Sequence, residues 1–159
     1  YALIGGFALG ALGIPRATID LDFIIYSDDL DKADGILKAH GYKCVYKSED
    51  AAQYVSDTAI FGEIDFLLAH RKISRRMIER AGEKELLSRK VKVLRPEDVI
   101  GLKIQALSND ETRAAKEYLD IESLLRFYKK DLDWTALEEY FRLFDLEHKY
   151  LEYKNQYYA

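Results

Sequence analysis

A chain of 159 residues with one cysteine, Cys44, has no means of building an internal disulfide framework or a cysteine-rich zinc site. Such cysteine usage leads us to expect a cytoplasmic protein, with Cys44 as a small core residue. No uninterrupted apolar run reaches membrane-spanning length, and Tyr1 to Ile4 carry no basic leader. Neither a membrane partner nor a secretory signal is therefore expected. Excess positive charge is missing too. The formal net charge of −4 gives no global attraction to nucleic acid, and the basic residues between Lys72 and Lys92 read as a solvated face, with a phosphate-facing role as the alternative. Internal repeats and Gly/Ser linkers are absent. What is present is 48% hydrophobic composition, enough for one core or for a core with a helical appendage.

The periodicity divides the chain near residue 94. Tyr1 to Ile4 reads as the end of a strand, Phe7 to Leu12 as a short helix stopped by Gly13-Ile14-Pro15, and Asp20 to Tyr26 as a strand. Ser27 is placed to cap a helix running to Ala39. Tyr42 to Lys47 reads as a strand and Ser48 to Gln53 as a loop. Tyr54 to Ile60 and Glu63 to Leu68 read as a hairpin, His70 to Ala81 as a helix, and Lys90 to Leu94 as an edge strand. From Pro96 the spacing turns helical, with helices expected to Leu107, over Glu111 to Lys129 with Leu119, Leu124 and Leu125 on its apolar face, over Trp134 to Phe144, and over Glu147 to Tyr157. The expected fold is α/β in the α+β sense. A small mixed-sheet core over residues 1–94 precedes a C-terminal helical region, residues 95–159, packed on it.

The residues that invite chemistry are acids set among apolar neighbours. Asp20 and Asp22 lie two apart in Ile19-Asp-Leu-Asp-Phe-Ile-Ile25, so a strand turns both to one face. Carboxylates so placed repel unless a cation sits between them. Asp65, in Glu63-Ile-Asp-Phe-Leu-Leu68, repeats the pattern on what reads as a neighbouring strand. Three such acids suit a hard divalent ion. The alternative is that Glu63 and Asp65 occupy the solvent face of an edge strand. Gly5-Gly6 permits close backbone approach, either for phosphates at a helix start or for an ordinary strand-to-helix turn. Arg16 reads as a phosphate contact or as a pin for the loop, and Thr18 as a turn cap.

Lys103 shares a helical face with Ile100 and Leu107. A lysine in an apolar stripe either snorkels to solvent or meets a buried acid. Packing of the helix on the core would let it point at Asp20 and Asp22, and a snorkelling surface lysine is the alternative. Arg113, Lys116, Glu117 and Asp120 form a second charged group at helical spacing.

Gly5-Gly-Phe-Ala-Leu9, followed by Gly13-Ile-Pro-Arg-Ala-Thr-Ile-Asp-Leu-Asp22, resembles the signature of the minimal nucleotidyltransferase superfamily, related in fold to the polymerase beta palm. Pro96-Glu-Asp-Val-Ile-Gly-Leu-Lys103 and Arg113-Ala-Ala-Lys-Glu-Tyr-Leu-Asp-Ile121 extend the likeness, which is closest to abortive-infection type nucleotidyltransferase toxins and their relatives. The resemblance implies that Gly5 and Gly6 hold nucleotide phosphates. It implies that Asp20 and Asp22 bind Mg2+, with Mn2+ as a substitute, that Asp65 is the third acid, and that Lys103 is the active-site lysine, its ammonium directed toward Asp20, Asp22 and Asp65, so that Lys103→Ala is expected to impair catalysis more than folding. Lys116, Glu117 and Asp120 are implied as supporting residues. Two departures stand out: Gly6 replaces the common serine, and Glu117 replaces an aspartate.

Two functions follow from the resemblance. The first is Mg2+-dependent transfer of a nucleoside monophosphate from an NTP to a hydroxyl on tRNA, a protein or a small molecule. The second is an interaction protein of a toxin–antitoxin type system that kept the fold but little activity, with Tyr150, Tyr153, Tyr157 and Tyr158 either facing a partner or covering the protein's own core. A homodimer is compatible with the sequence, which offers no direct sign of one.

Overall fold

The structure, a computed structural model, describes residues 1–58 and 60–158, and at position 111 the backbone alone. It is mixed α/β, with seven strands and seven α-helices among the described residues. Tyr1–Arg95 and Pro96–Ala159 form two compact units.

The first unit runs β1 (Ala2–Ile4), α1 (Gly5–Ala11), β2 (Leu21–Tyr26), a 3-10 turn (Ser27–Asp29), α2 (Leu30–Ala39), β3 (Tyr42–Lys47), β4 (Ala51–Ser56), β5 (Ile64–Ala69), α3 (Lys72–Glu79), β6 (Gly82–Leu86) and β7 (Arg89–Val93). The strands make one sheet in the order β3-β4-β5-β2-β1-β7-β6. The β2–β5 and β1–β7 pairs are parallel and the others antiparallel.

Strand alternation explains the core. Leu21, Phe23 and Ile25 of β2, Ile64, Phe66 and Leu68 of β5, and Ala52 and Tyr54 of β4 gather in one apolar cluster with Leu30, Ala33 and Leu37 of α2. Each large side chain so buried contributes about 1.5–3 kcal/mol. The intervening positions, Asp22 and Asp65 among them, leave the sheet on the other face.

Several local expectations shift. Helix α1 starts at Gly5, not Phe7. It closes with Gly13 N–H donating to the Gly10 carbonyl at 3.0 Å and Ile14 N–H to Leu9 at 2.9 Å, and Pro15 follows. Asp20 lies just before β2 and so is not a strand residue. Ser27 opens a 3-10 turn and makes no side-chain cap for α2. The expected loop over 48–53 contains the start of β4: Ala51, Ala52 and Gln53 have weak strand preference, but all three pair with β5, and Ala52 and Gln53 pair with β3 as well. The strand expected over 54–60 ends at Ser56, and Ala59 lies outside the described residues. Strand β7 lies between β1 and β6 and is not an edge. Its alternating lysines report one wet face, which an interior strand of a mixed sheet also presents.

The second unit is helical: α4 (Pro96–Asn109), a 3-10 turn (Glu111–Arg113), α5 (Ala114–Tyr128), α6 (Trp134–Leu143) and α7 (Glu147–Tyr157). The acids in the first turn of α4 tie the unit together. Glu97 accepts from Asp133 N–H at 2.8 Å, and buried Asp98 accepts from the Tyr140 hydroxyl at 2.6 Å. Asp133 caps α6 by accepting from the N–H groups of Thr135 and Ala136. Ile121, Leu124 and Leu125 of α5 are buried, while Leu119 is exposed, so the apolar stripe runs beside the position expected for it. Tyr150, Tyr153 and Tyr157 are buried, with Tyr150 against Trp134 and Phe141, Tyr153 against Phe141 and Tyr157 against Tyr153, and only Tyr158 of the four tyrosines is exposed. No helix among the described residues is long and apolar enough to cross a membrane.

Candidate active site

The acids meet through the parallel pairing of β2 with β5. Asp22 and Asp65 are direct partners in that register. The row extends on both sides: Gln53 of β4 is opposite Asp65, and Ile4 of β1 is opposite Asp22. Residues opposite one another across strands share a face, so Gln53, Asp65 and Asp22 stand side by side. Asp22 and Asp65 line a cleft of about 340 Å3 on that face, with Gln53 and Tyr46.

Asp20 joins them by a different route. Its Oδ1 accepts from Glu63 N–H at 3.3 Å, and Leu21 N–H donates to the Glu63 carbonyl at 2.9 Å. Gly62 allows this closeness. A Cβ there would sit 2.1 Å from the Ile19 carbonyl oxygen, too close for any side chain. The chain before β5 thus positions the acid before β2.

Gly5 and Gly6 have an equally specific setting. Gly5 has φ +64°, and a Cβ built on it would lie 2.0 Å from Asp22 Oδ2. A Cβ on Gly6 would lie 2.7 Å from the Thr18 methyl carbon. The close approach that the glycines permit is therefore filled first by Asp22 and Thr18 of their own chain. Thr18 also donates from its hydroxyl to the Asp20 carbonyl at 3.4 Å, and Arg16 is half-buried on the same connection between α1 and β2.

Burial raises the pKa of Asp65, and repulsion from Glu63 and Asp20 adds to the rise, while the Gln53 amide opposes it. A carboxyl in that state holds its proton more readily than an exposed aspartate. Among the described residues no three His, Cys, Asp or Glu groups are gathered into a set that could hold a metal ion. The strands bring the acids to one place without closing their carboxylates around a point. Their chemistry nonetheless fits a hard divalent cation: the donors are all carboxylate oxygens, and a cation would relieve the repulsion at Asp65.

In the helical unit, Lys103 meets buried acids. Its ammonium donates to Glu117 Oε2 at 2.9 Å and to Asp120 Oδ2 at 2.6 Å. Arg113 donates to Glu117 Oε1 at 2.8 Å, so the Glu117 carboxylate bridges two cations. The Lys103 side chain is 11% exposed, Glu117 2% and Asp120 6%. Lys103 neutralises carboxylates that have little access to water, which makes it part of the fold. Lys103→Ala is therefore expected to cost folding directly, unlike the mild folding effect anticipated above. Lys116 is exposed on α5.

Gln53, Tyr46 and Gly62 carry no sequence motif. Gln53 sits in a stretch that reads as loop, and the significance of all three depends on which strands become neighbours.

Comparison with known proteins gives one family and several solved structures of similar fold. Residues 15–153 match a family described as uncharacterised nucleotidyltransferase. The chain is similar in structure to ANT(2'')-Ia, an antibiotic-resistance factor, in solution: TM-score 0.65, 16% identity, covering 98% of this chain and 86% of that one. It is similar to lincomycin-bound LnuA, a lincosamide antibiotic adenylyltransferase, at TM-score 0.54 and 17% identity, covering 77% and 84%. An antigenic nucleotidyltransferase-like protein from Paracoccidioides brasiliensis aligns at TM-score 0.52 and 18% identity, covering 95% and 83%. No curated protein matches the chain in sequence.

Proposed function

This chain belongs to the family of uncharacterised nucleotidyltransferases, and on that footing we propose that it transfers a nucleoside monophosphate from an NTP to a hydroxyl and releases pyrophosphate. The observation that carries the reading is the Asp22–Asp65 pair in direct register, with the Gly5 backbone pressed against Asp22. The likeness to adenylyltransferases supports ATP as the first donor to try.

Asp20, Asp22 and Asp65 would hold Mg2+, or Mn2+ in its place. When bound, the ion supplies Lewis-acid polarisation of phosphoryl oxygens. The chain's own residues do the rest. Asp65 would take the proton from the acceptor hydroxyl as the oxygen attacks the α-phosphorus. The bond to the β-phosphate oxygen breaks, and pyrophosphate leaves. Gly5 and Gly6 bring backbone close to the phosphates, with Arg16 and Thr18 beside them on the following connection. On its motif Lys103 would be a phosphate-stabilising cation, with Lys116, Glu117 and Asp120 supporting it, a role additional to its ion pairs with Glu117 and Asp120.

Calorimetry tests the reading. Wild-type protein should bind ATP or another NTP with millimolar Mg2+, and Asp20→Asn with Asp22→Asn should abolish the binding. Wild type that binds no NTP under those conditions refutes it.

A further inference from the structure

The row of residues through the acids extends one strand beyond Gln53, and an irregularity in β3 decides what stands there. Tyr42 and Cys44 pack against the apolar cluster under α2. Strict alternation would send Tyr46 to that same face. The register shifts between Cys44 and Tyr46: Cys44 pairs with Tyr54, but Tyr46 pairs with Gln53, where unbroken pairing would have given Ala52. A β-bulge of this kind re-aims one side chain. Tyr46 thereby joins the cleft that Gln53, Asp65 and Asp22 line. Five adjacent strands present Tyr46, Gln53, Asp65, Asp22 and Ile4 in one line.

The acids split this line. Gly5, Gly6 and Thr18 crowd Asp22 and its connection from the β1 side, whereas Gln53 and Tyr46 flank Asp65 from the β4 side. We propose that the β4 side is the acceptor subsite, that Tyr46 and Gln53 determine its specificity, and that the acceptor is a compact hydroxyl-bearing molecule with an apolar face and no phosphate backbone. The inference rests on the nucleotidyl-transfer reading and names the substrate class for it.

Three features point to that class. The cleft, about 340 Å3, is at the small end of the range for small-molecule sites. Its lining is apolar at Ile4, Ala51 and Leu67, and the half-exposed Tyr46 ring offers a flat surface for stacking. Among the described residues no lysine or arginine lines it, so a phosphate backbone lying beyond the metal held by the acids would go unneutralised, a cost in itself. A neutral or cationic molecule meets no such penalty. Gln53 is also oriented in advance, because its Nε2 donates to Glu63 Oε2 at 2.7 Å. That leaves the amide oxygen as an acceptor for a substrate hydroxyl or amine beside Asp65.

The test uses the full chain, α-labelled ATP with Mg2+, and cell extract separated by dialysis into small-molecule and macromolecular fractions. Label should enter the small-molecule fraction. Tyr46→Ala and Gln53→Ala should each lower that labelling about tenfold, the scale of one lost stack or hydrogen bond. Both should bind Mg2+–ATP in calorimetry as wild type does, and Tyr46→Phe should restore labelling. Label confined to macromolecules, no dialysable product from a protein that binds ATP, or variants that label as wild type would each overturn the assignment. Wild type that binds no NTP at all removes the transfer reading beneath it, and the inference with it.

Discussion

Gly5→Ala separates the backbone's role at the acids from the acids themselves. The substitution adds one methyl group at φ +64°, a left-handed conformation costing roughly 1–2 kcal/mol for a residue with a Cβ. The methyl would lie 2.0 Å from Asp22 Oδ2 and 2.5 Å from its Cγ. The Asp22 carboxylate can swing aside, but its Cβ, 2.8 Å from the added methyl, moves only with the backbone, so β2 must also shift slightly. Holding a side chain about 30° off its rotamer costs of order 0.5–1.5 kcal/mol. The sum is a loss of at least about 1.5–3.5 kcal/mol, or roughly 3–14 °C in melting temperature for a chain of this size. The matched control is Gly10→Ala on the same helix, where the added Cβ meets nothing within 4 Å. It should be neutral, or stabilising by up to about 1 kcal/mol. Thermal unfolding and calorimetry with Mn2+–ATP would be run on both. Gly5→Ala should remain folded at 20 °C yet bind Mn2+–ATP at least about tenfold more weakly, one lost carboxylate contact by the usual conversion. Unchanged affinity in a folded Gly5→Ala protein would show that the placement of Asp22 is not what the glycine protects.

Gly62→Ala should destabilise more than Gly5→Ala, because its Cβ meets the Ile19 backbone oxygen, which has no rotamer to escape into. Urea denaturation should show a loss of about 3 kcal/mol or more, and a loss below that of Gly5→Ala would contradict the close approach. Lys103→Met removes the ammonium that neutralises buried Glu117 and Asp120, and should cost about 3–5 kcal/mol in urea denaturation. A Lys103→Met protein as stable as wild type would mean that the pair is not buried in solution. Asp65 has a pKa raised above its ordinary 3.8, so the native state binds its proton to higher pH than the unfolded chain does. Its contribution to stability therefore falls as pH rises from about 3.8 through the raised value, then levels off. The stability difference between wild type and Asp65→Asn, followed by urea denaturation across that range, should decline with pH, and a flat or rising difference would refute the shift.

Much of this protein was legible along the chain. Glycines before an apolar helix, acids inside runs of Ile, Leu and Phe, and Pro96-Glu-Asp opening a helix are local signals, because period, propensity and capping act over a few residues. They indicated a mixed sheet core, a helical remainder and the acids of the candidate site. Other features were decided only when distant segments met. Weak strand formers over Ala51 to Gln53 became β4 because β3 and β5 offered backbone partners on both sides. Gly5 and Gly62 acquired their significance from Asp22 and from the Ile19 carbonyl, which pairing brings within a Cβ's reach. Lys103 had to meet an acid or solvent, but that it meets Glu117 and Asp120 follows from how α4 lies on α5. The row from Tyr46 to Ile4 depends on a single-residue shift in β3, and such a shift leaves no mark in composition or period. A side chain's type is a property of its position in the chain, whereas its neighbours across a sheet are set by register, and register is a property of pairs of strands.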